Sequence, residues 1–111
     1  MHPTLGVHVG RVTFLNCSEV RMGSPYQVCD IRLQLDWKPD LPGSGFQDLS
    51  VESPDGRYLS LVEWHIVDNA PAFVVHTLDT VAHTVRSSDP QLGCCARLWW
   101  DDGARWDVGA K

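Results

Sequence analysis

Three histidines, His65, His76 and His83, are spaced so that strands joined by tight turns would set them side by side. If Asp79-Thr80 closes a two-residue turn, Leu78 pairs with Val81 and His76 falls opposite His83. If Asn69 to Ala72 close the preceding hairpin, Ile66 pairs with Val75 and His65 falls opposite His76. A row of imidazoles across three strands, with Glu63 on the same face, offers the nitrogen and carboxylate donors that bind zinc. The competing expectation is structural. These faces also carry Val67, Val74, Leu78, Val81 and Val85, where a histidine is ordinarily a hydrogen-bonded core residue, and a one-residue slip would scatter the row.

A second group lies near the C-terminus. With Asp101 to Gly103 as a turn, Trp100 faces Ala104, Trp99 faces Arg105 and Leu98 faces Trp106. Ala96, Leu98, Trp100, Trp106 and Val108 then form one apolar face, and Arg97, Trp99, Arg105 and Asp107 the other. A tryptophan between two arginines suits a recognition surface: the ring gives contact area at low entropic cost, and guanidinium groups stack or pair with carboxylates. Nucleic-acid stacking platforms have a similar composition. The structural alternative covers Trp99 with other chain and pairs Arg97 with Asp107.

Other chemistry is thinly represented. Cys17, Cys29, Cys94 and Cys95 contain no CxxC pair, so free thiols are expected rather than a zinc knuckle or redox motif. Gly43-Ser44-Gly45 lacks the further glycine and helix that would cradle a phosphate, and no nucleophile elbow or metalloprotease helix is written. Catalytic residues and cofactors are therefore not assigned.

Strands must position these groups. Ser53-Pro54-Asp55-Gly56 is a turn with a mechanism: proline presets φ, aspartate bonds the local backbone, and glycine takes positive φ. Tyr58 to Val67 places apolar groups at both phases, as a central strand does. Phe73 to Leu78 and Val81 to Arg86 follow as strands, then a polar loop, Cys94 to Trp100, and Arg105 to Val108. Upstream, residues 5 to 16 read as one strand bent at Gly10. Gly23-Ser24-Pro25 marks a turn, and Cys29 to Trp37 alternates cleanly. Lys38 to Asp48 reads as a long loop, with a helical turn near Phe46 to Leu49 as the one candidate for helix.

The expected fold is all-β and antiparallel, a single domain over residues 1–111 of about six to seven strands with little helix, forming a small open sheet or barrel. With 14 acidic and 9 basic residues, the net charge of −5 disfavours broad attraction to phosphate backbones or anionic membranes. No apolar run approaches the ~18 residues of a membrane helix, and no secretory leader is read at the amino terminus, so a soluble cytoplasmic protein is expected.

The segment SPDGRYLSLVEW, the strands that follow it and WWDDGARW resemble a repeat of WD-like propellers of the translocation-protein and prolyl-oligopeptidase kind, in which a PDG turn opens each blade. Gly56 and Gly103 stand 47 residues apart, close to a blade period. The resemblance covers Ser53 to Val108 and implies blade-like topology or a homo-oligomer, since one repeat cannot close a ring. The remainder suits a barrel of the Sm-like or oligonucleotide-binding kind.

The functional expectation is a β interaction module, monomeric or homo-oligomeric, that binds a protein partner through Trp99, Arg97 and Arg105, as an inhibitor or immunity-like protein would. The alternatives are an Sm-like barrel binding RNA or single-stranded DNA, and a metal-dependent enzyme using His65, His76 and His83.

Overall fold

The Ser53 to Gly56 turn forms as its residues dictate and launches the central hairpin. Gly56 has φ +75° and donates its N–H to the Ser53 carbonyl at 2.9 Å. Asp55 Oδ1 accepts from Ser53 Oγ at 2.6 Å and from Arg57 N–H at 3.1 Å, and Ser53 Oγ in turn accepts Tyr58 N–H at 2.9 Å. These bonds hold the Asp55 carboxyl below its ordinary pKa, the Ser53 hydroxyl contributing most.

The computed structural model describes residues 7–20 and 26–109, so the turn expected at Gly23-Ser24-Pro25 lies outside the described residues. Among the described residues ten strands run in order: β1 Val7–Val9, β2 Val12–Glu19, β3 Gln27–Leu33, β4 Ser44–Glu52, β5 Tyr58–Val67, β6 Ala70–Asp79, β7 Thr84–Ser87, β8 Gln91–Leu92, β9 Cys94–Trp100 and β10 Ala104–Gly109. The fold is all-β and antiparallel, as expected. Strands β1 to β7 form one meander in sequence order, β8 adds to the far end of β6, and β9 and β10 make a separate two-stranded sheet. The ends of the meander, β1 and β7, do not pair with each other, so the sheet stays open and the barrel form does not arise.

Several boundaries differ from expectation for local reasons. Gly10 does not bend one strand; with φ +62° it begins the tight turn that folds β1 back on β2, Val9 facing Val12. A Cβ there would collide with the Glu52 carboxylate, which accepts Arg11 N–H at 3.2 Å. Strand β3 ends at Leu33, and the expected long loop yields its second half to β4, with no helical turn at Phe46 to Leu49.

Pleating gives the meander two working faces. Val12, Phe14, Cys29, Phe46, Leu59, Leu61 and Leu78 fill one core, covered by Ile31, Leu33, Leu35, Trp37, Leu41 and Val85. On the opposite face, Val62, Phe73, Val75 and Cys95 form a second core with Leu49, Leu98, Ala104 and Trp106, which docks the β9–β10 hairpin. Gln47, 1% exposed, pins that hairpin: its Nε2 donates to the Cys95 carbonyl at 2.9 Å and its Oε1 accepts Cys95 N–H at 3.0 Å.

Candidate functional site

The central hairpin sets the histidines through its turns. Asp68 and Asn69 both take positive φ, 51° and 60°, and form a two-residue turn of the kind that suits strand twist. The register then pairs Ile66 with Pro71, His65 with Ala72, Glu63 with Val74 and Leu61 with His76. Pro71 therefore belongs to a strand, and His65 and His76 are not directly opposed as expected. They still share a face, with Glu63 between them.

Glu63 joins the two rings. Its Oε1 lies 2.7 Å from His76 Nε2 and 3.1 Å from His65 Nε2. The ligand atoms of Glu63, His65 and His76 all lie within 4.8 Å of one another. His76 is buried, and its Nδ1 lies 2.7 Å from Ser87 Oγ on β7. His65 faces solvent more freely, its side chain 39% exposed against 10% for His76.

His83 takes no part, which corrects the three-histidine row. Residues Thr80 to His83 form a four-residue loop, not a two-residue turn, because Asp79 accepts the N–H groups of Val81 and Ala82 at 3.0 Å each and His83 N–H bonds the Asp79 carbonyl. The resulting register pairs His76 with Ser87 and Leu78 with Val85. His83, at φ +58°, instead stacks on Trp37 with ring centres 4.9 Å apart, and its Nε2 lies 3.9 Å from Asp36 Oδ1.

The terminal hairpin follows its expected register at the turn: Ala104 faces Trp100, Arg105 faces Trp99, Trp106 faces Leu98 and Asp107 faces Arg97. A bulge then shifts the pairing so that Val108 faces Cys95. Ala96 and Val108 are consequently exposed and leave the apolar face expected for them, while Cys95 takes the inward place. Burial pushes the Cys95 thiol up to about 11, so it is held protonated.

Trp99 lies on the outward face, half-buried. The Arg97 guanidinium sits 4.2 Å from its ring centre and contacts Asp107 at 3.4 Å. Arg105 is exposed across from Trp99 and makes no ion pair among the described residues. On the inward side, a groove of about 610 Å³ opens between hairpin and meander, lined by Tyr58, Thr77, Arg86, Trp100, Arg105 and Trp106 among others. Trp100 and Tyr58 stack there at 5.4 Å. Arg105 thus borders both the Trp99 strip and the groove. Sequence reading of the hairpin found the strip but not the groove, whose other wall comes from β5 to β7.

Sequence reading also missed one covalent link. Cys17 and Cys29 form a disulfide across β2 and β3, their Cα atoms 4.1 Å apart, where free thiols were expected; Cys94 and Cys95 are buried and not disulfide-bonded. The available signal was symmetry: a hairpin returning near residue 23 places Cys17 and Cys29, twelve residues apart, opposite each other. A bulge between Leu15 and Ser18, where Asn16 has φ +53°, completes that register.

No known protein family, curated protein or solved structure matches this chain.

Proposed function

We propose that the protein is a small all-β interaction module that binds a protein partner through the β9–β10 hairpin, acting as an inhibitor or immunity-like protein would. One observation carries this reading: Trp99 and Arg97 form a stacked, solvent-facing pair beside an Arg105 that has no acidic partner among the described residues and borders an aromatic groove. Aromatic rings and arginines dominate binding energy where a surface is desolvated by a partner. The free guanidinium groups of Arg105 and Arg86 favour a partner segment that presents carboxylates.

Nucleic acid is the weaker reading, because the net charge is −5 and the sheet is open rather than ring-forming. Among the described residues no helix is long and apolar enough to cross a membrane. Cytoplasmic residence is a further proposal, and the Cys17–Cys29 disulfide weighs against it, because cytosolic thiol pools keep most cysteines reduced.

The test uses a photo-cross-linking residue at position 102, exposed at the hairpin tip, to capture the partner, followed by affinity measurements with Trp99→Ala and Arg105→Glu. Truncating Trp99 should weaken partner binding by about 2 kcal/mol or more, roughly thirtyfold, with melting temperature nearly unchanged. Unfolding of Trp99→Ala would place Trp99 in the core instead. Nucleic-acid absorbance co-migrating with the purified protein, lost in the same variant, would favour the RNA or single-stranded DNA reading.

A further inference from the structure

We propose that Glu63, His65 and His76 form a zinc-binding site with one coordination position open to solvent, separate from the hairpin surface. Two imidazoles and a carboxylate, with water in the fourth position, are a recurrent open zinc set. At zinc–ligand distances of about 2.0–2.1 Å, tetrahedral donors stand roughly 3.3 Å apart. Glu63 Oε1 lies 3.1 Å from His65 Nε2 and 2.7 Å from His76 Nε2, and all three donor atoms lie within 4.8 Å of one another, so side-chain adjustments of up to about 1.5 Å bring the set to tetrahedral spacing.

The donors are held by β5 and β6, which pair along their full length from Tyr58–Asp79 to Val67–Ala70. Placement on two adjacent strands limits the reorganisation needed for binding. Ser87 then supplies the orienting contact that metal-bound histidines ordinarily have. With zinc on Nε2, a neutral imidazole holds its proton on Nδ1, and Ser87 Oγ accepts it. A hydroxyl serves either tautomer, so the 2.7 Å contact survives binding. Apolar neighbours shield the inner side: Phe46 lies 6.3 Å from the His76 ring, and Leu61 is its strand partner. The outer side opens past His65, whose side chain is 39% exposed.

The experiment is calorimetric titration of chelator-stripped full-length protein with zinc chloride, with cobalt absorption as a probe of coordination geometry. One equivalent should bind with a dissociation constant in the micromolar range or tighter. His65→Ala and Glu63→Gln should each weaken it at least tenfold, and Ser87→Ala by about 10- to 100-fold, the usual effect of losing an orienting contact. His83→Gly should leave it unchanged. Because His76 is buried and its replacement risks the fold, the half-exposed His65 carries the decision, with circular dichroism confirming that each variant stays folded. No binding up to millimolar zinc overturns the site. Binding undiminished in folded His65→Ala and Glu63→Gln places the ion elsewhere and overturns it equally.

Discussion

A single carboxylate explains why the β6–β7 connection is wider than its residues suggest. Asp79 accepts two backbone N–H groups of the following loop and both donors of the Arg57 fork, at 3.0 Å and 2.9 Å. The Arg57 contact, with help from those backbone bonds, lowers the Asp79 pKa to about 2 from an ordinary 3.8. A depressed carboxyl stabilises the fold fully above its unfolded pKa, and that contribution is lost as pH falls through the folded value. Melting temperature should therefore drop between about pH 4 and pH 2. Asp79→Asn keeps an oxygen for the loop but abolishes the ion pair, so part of that drop should disappear. Thermal melts of both proteins across this range check it; identical profiles would show that Asp79 does not drive the acid sensitivity.

Among elements, the β9–β10 hairpin depends most on one polar contact. It packs through Leu98, Ala104 and Trp106, but its backbone joins the meander through the Gln47 amide, which bonds both polar groups of Cys95 in a buried setting. An amide placed this way does the work of a neighbouring strand. Gln47→Leu fills much of the same volume yet leaves the Cys95 N–H and carbonyl without those partners, at a cost of about 2–3 kcal/mol. Urea unfolding should show that loss, while a variant as stable as the parent would mean that water or a shifted hairpin replaces the amide. The same element shows how little a strand fixes alone: alternation along Cys94 to Trp100 put Trp99 outward and Trp100 inward, but the bulge that exposes Ala96 and Val108 comes from docking Cys95 against Gln47.

At the scale of the whole molecule, stability is graded from the central hairpin outward. Strands β5 and β6 carry both cores on their two faces, whereas among the described residues β9 and β10 pair only with each other and contribute to one core. Regions with fewer buried contacts open first. Native-state hydrogen exchange should show amides of β9 and β10 exchanging well before those of Leu59 to Val62 and Phe73 to Leu78. Simultaneous exchange of both sheets would mean that the hairpin and meander unfold as one unit. A hairpin that opens independently is also one that can adjust to a partner without disturbing the zinc donors on the opposite face of the meander.

How much the sequence determines differs by kind of feature. Local chemistry settles the Ser53 to Gly56 turn, the β5 and β9 strands and the Trp99–Arg105 pairing, because each depends on residues close in the chain and on period-two alternation. All-β class follows from the same alternation. Register across longer turns did not follow. The sequence reading closed these hairpins with Asn69 to Ala72 and with Asp79-Thr80; the observed closures depend on positive φ at Asp68 and Asn69 and on the bonds that Asp79 makes to the next loop. Those closures replaced a row of three histidines by a cluster of Glu63, His65 and His76, and sent His83 to Trp37. The Cys17–Cys29 link, the Gln47 clamp and the groove beside Arg105 join residues from separate strands, so only the packed sheet brings them together. Pleating and turn chemistry act over a few residues; which face meets which is decided by burial over the whole chain.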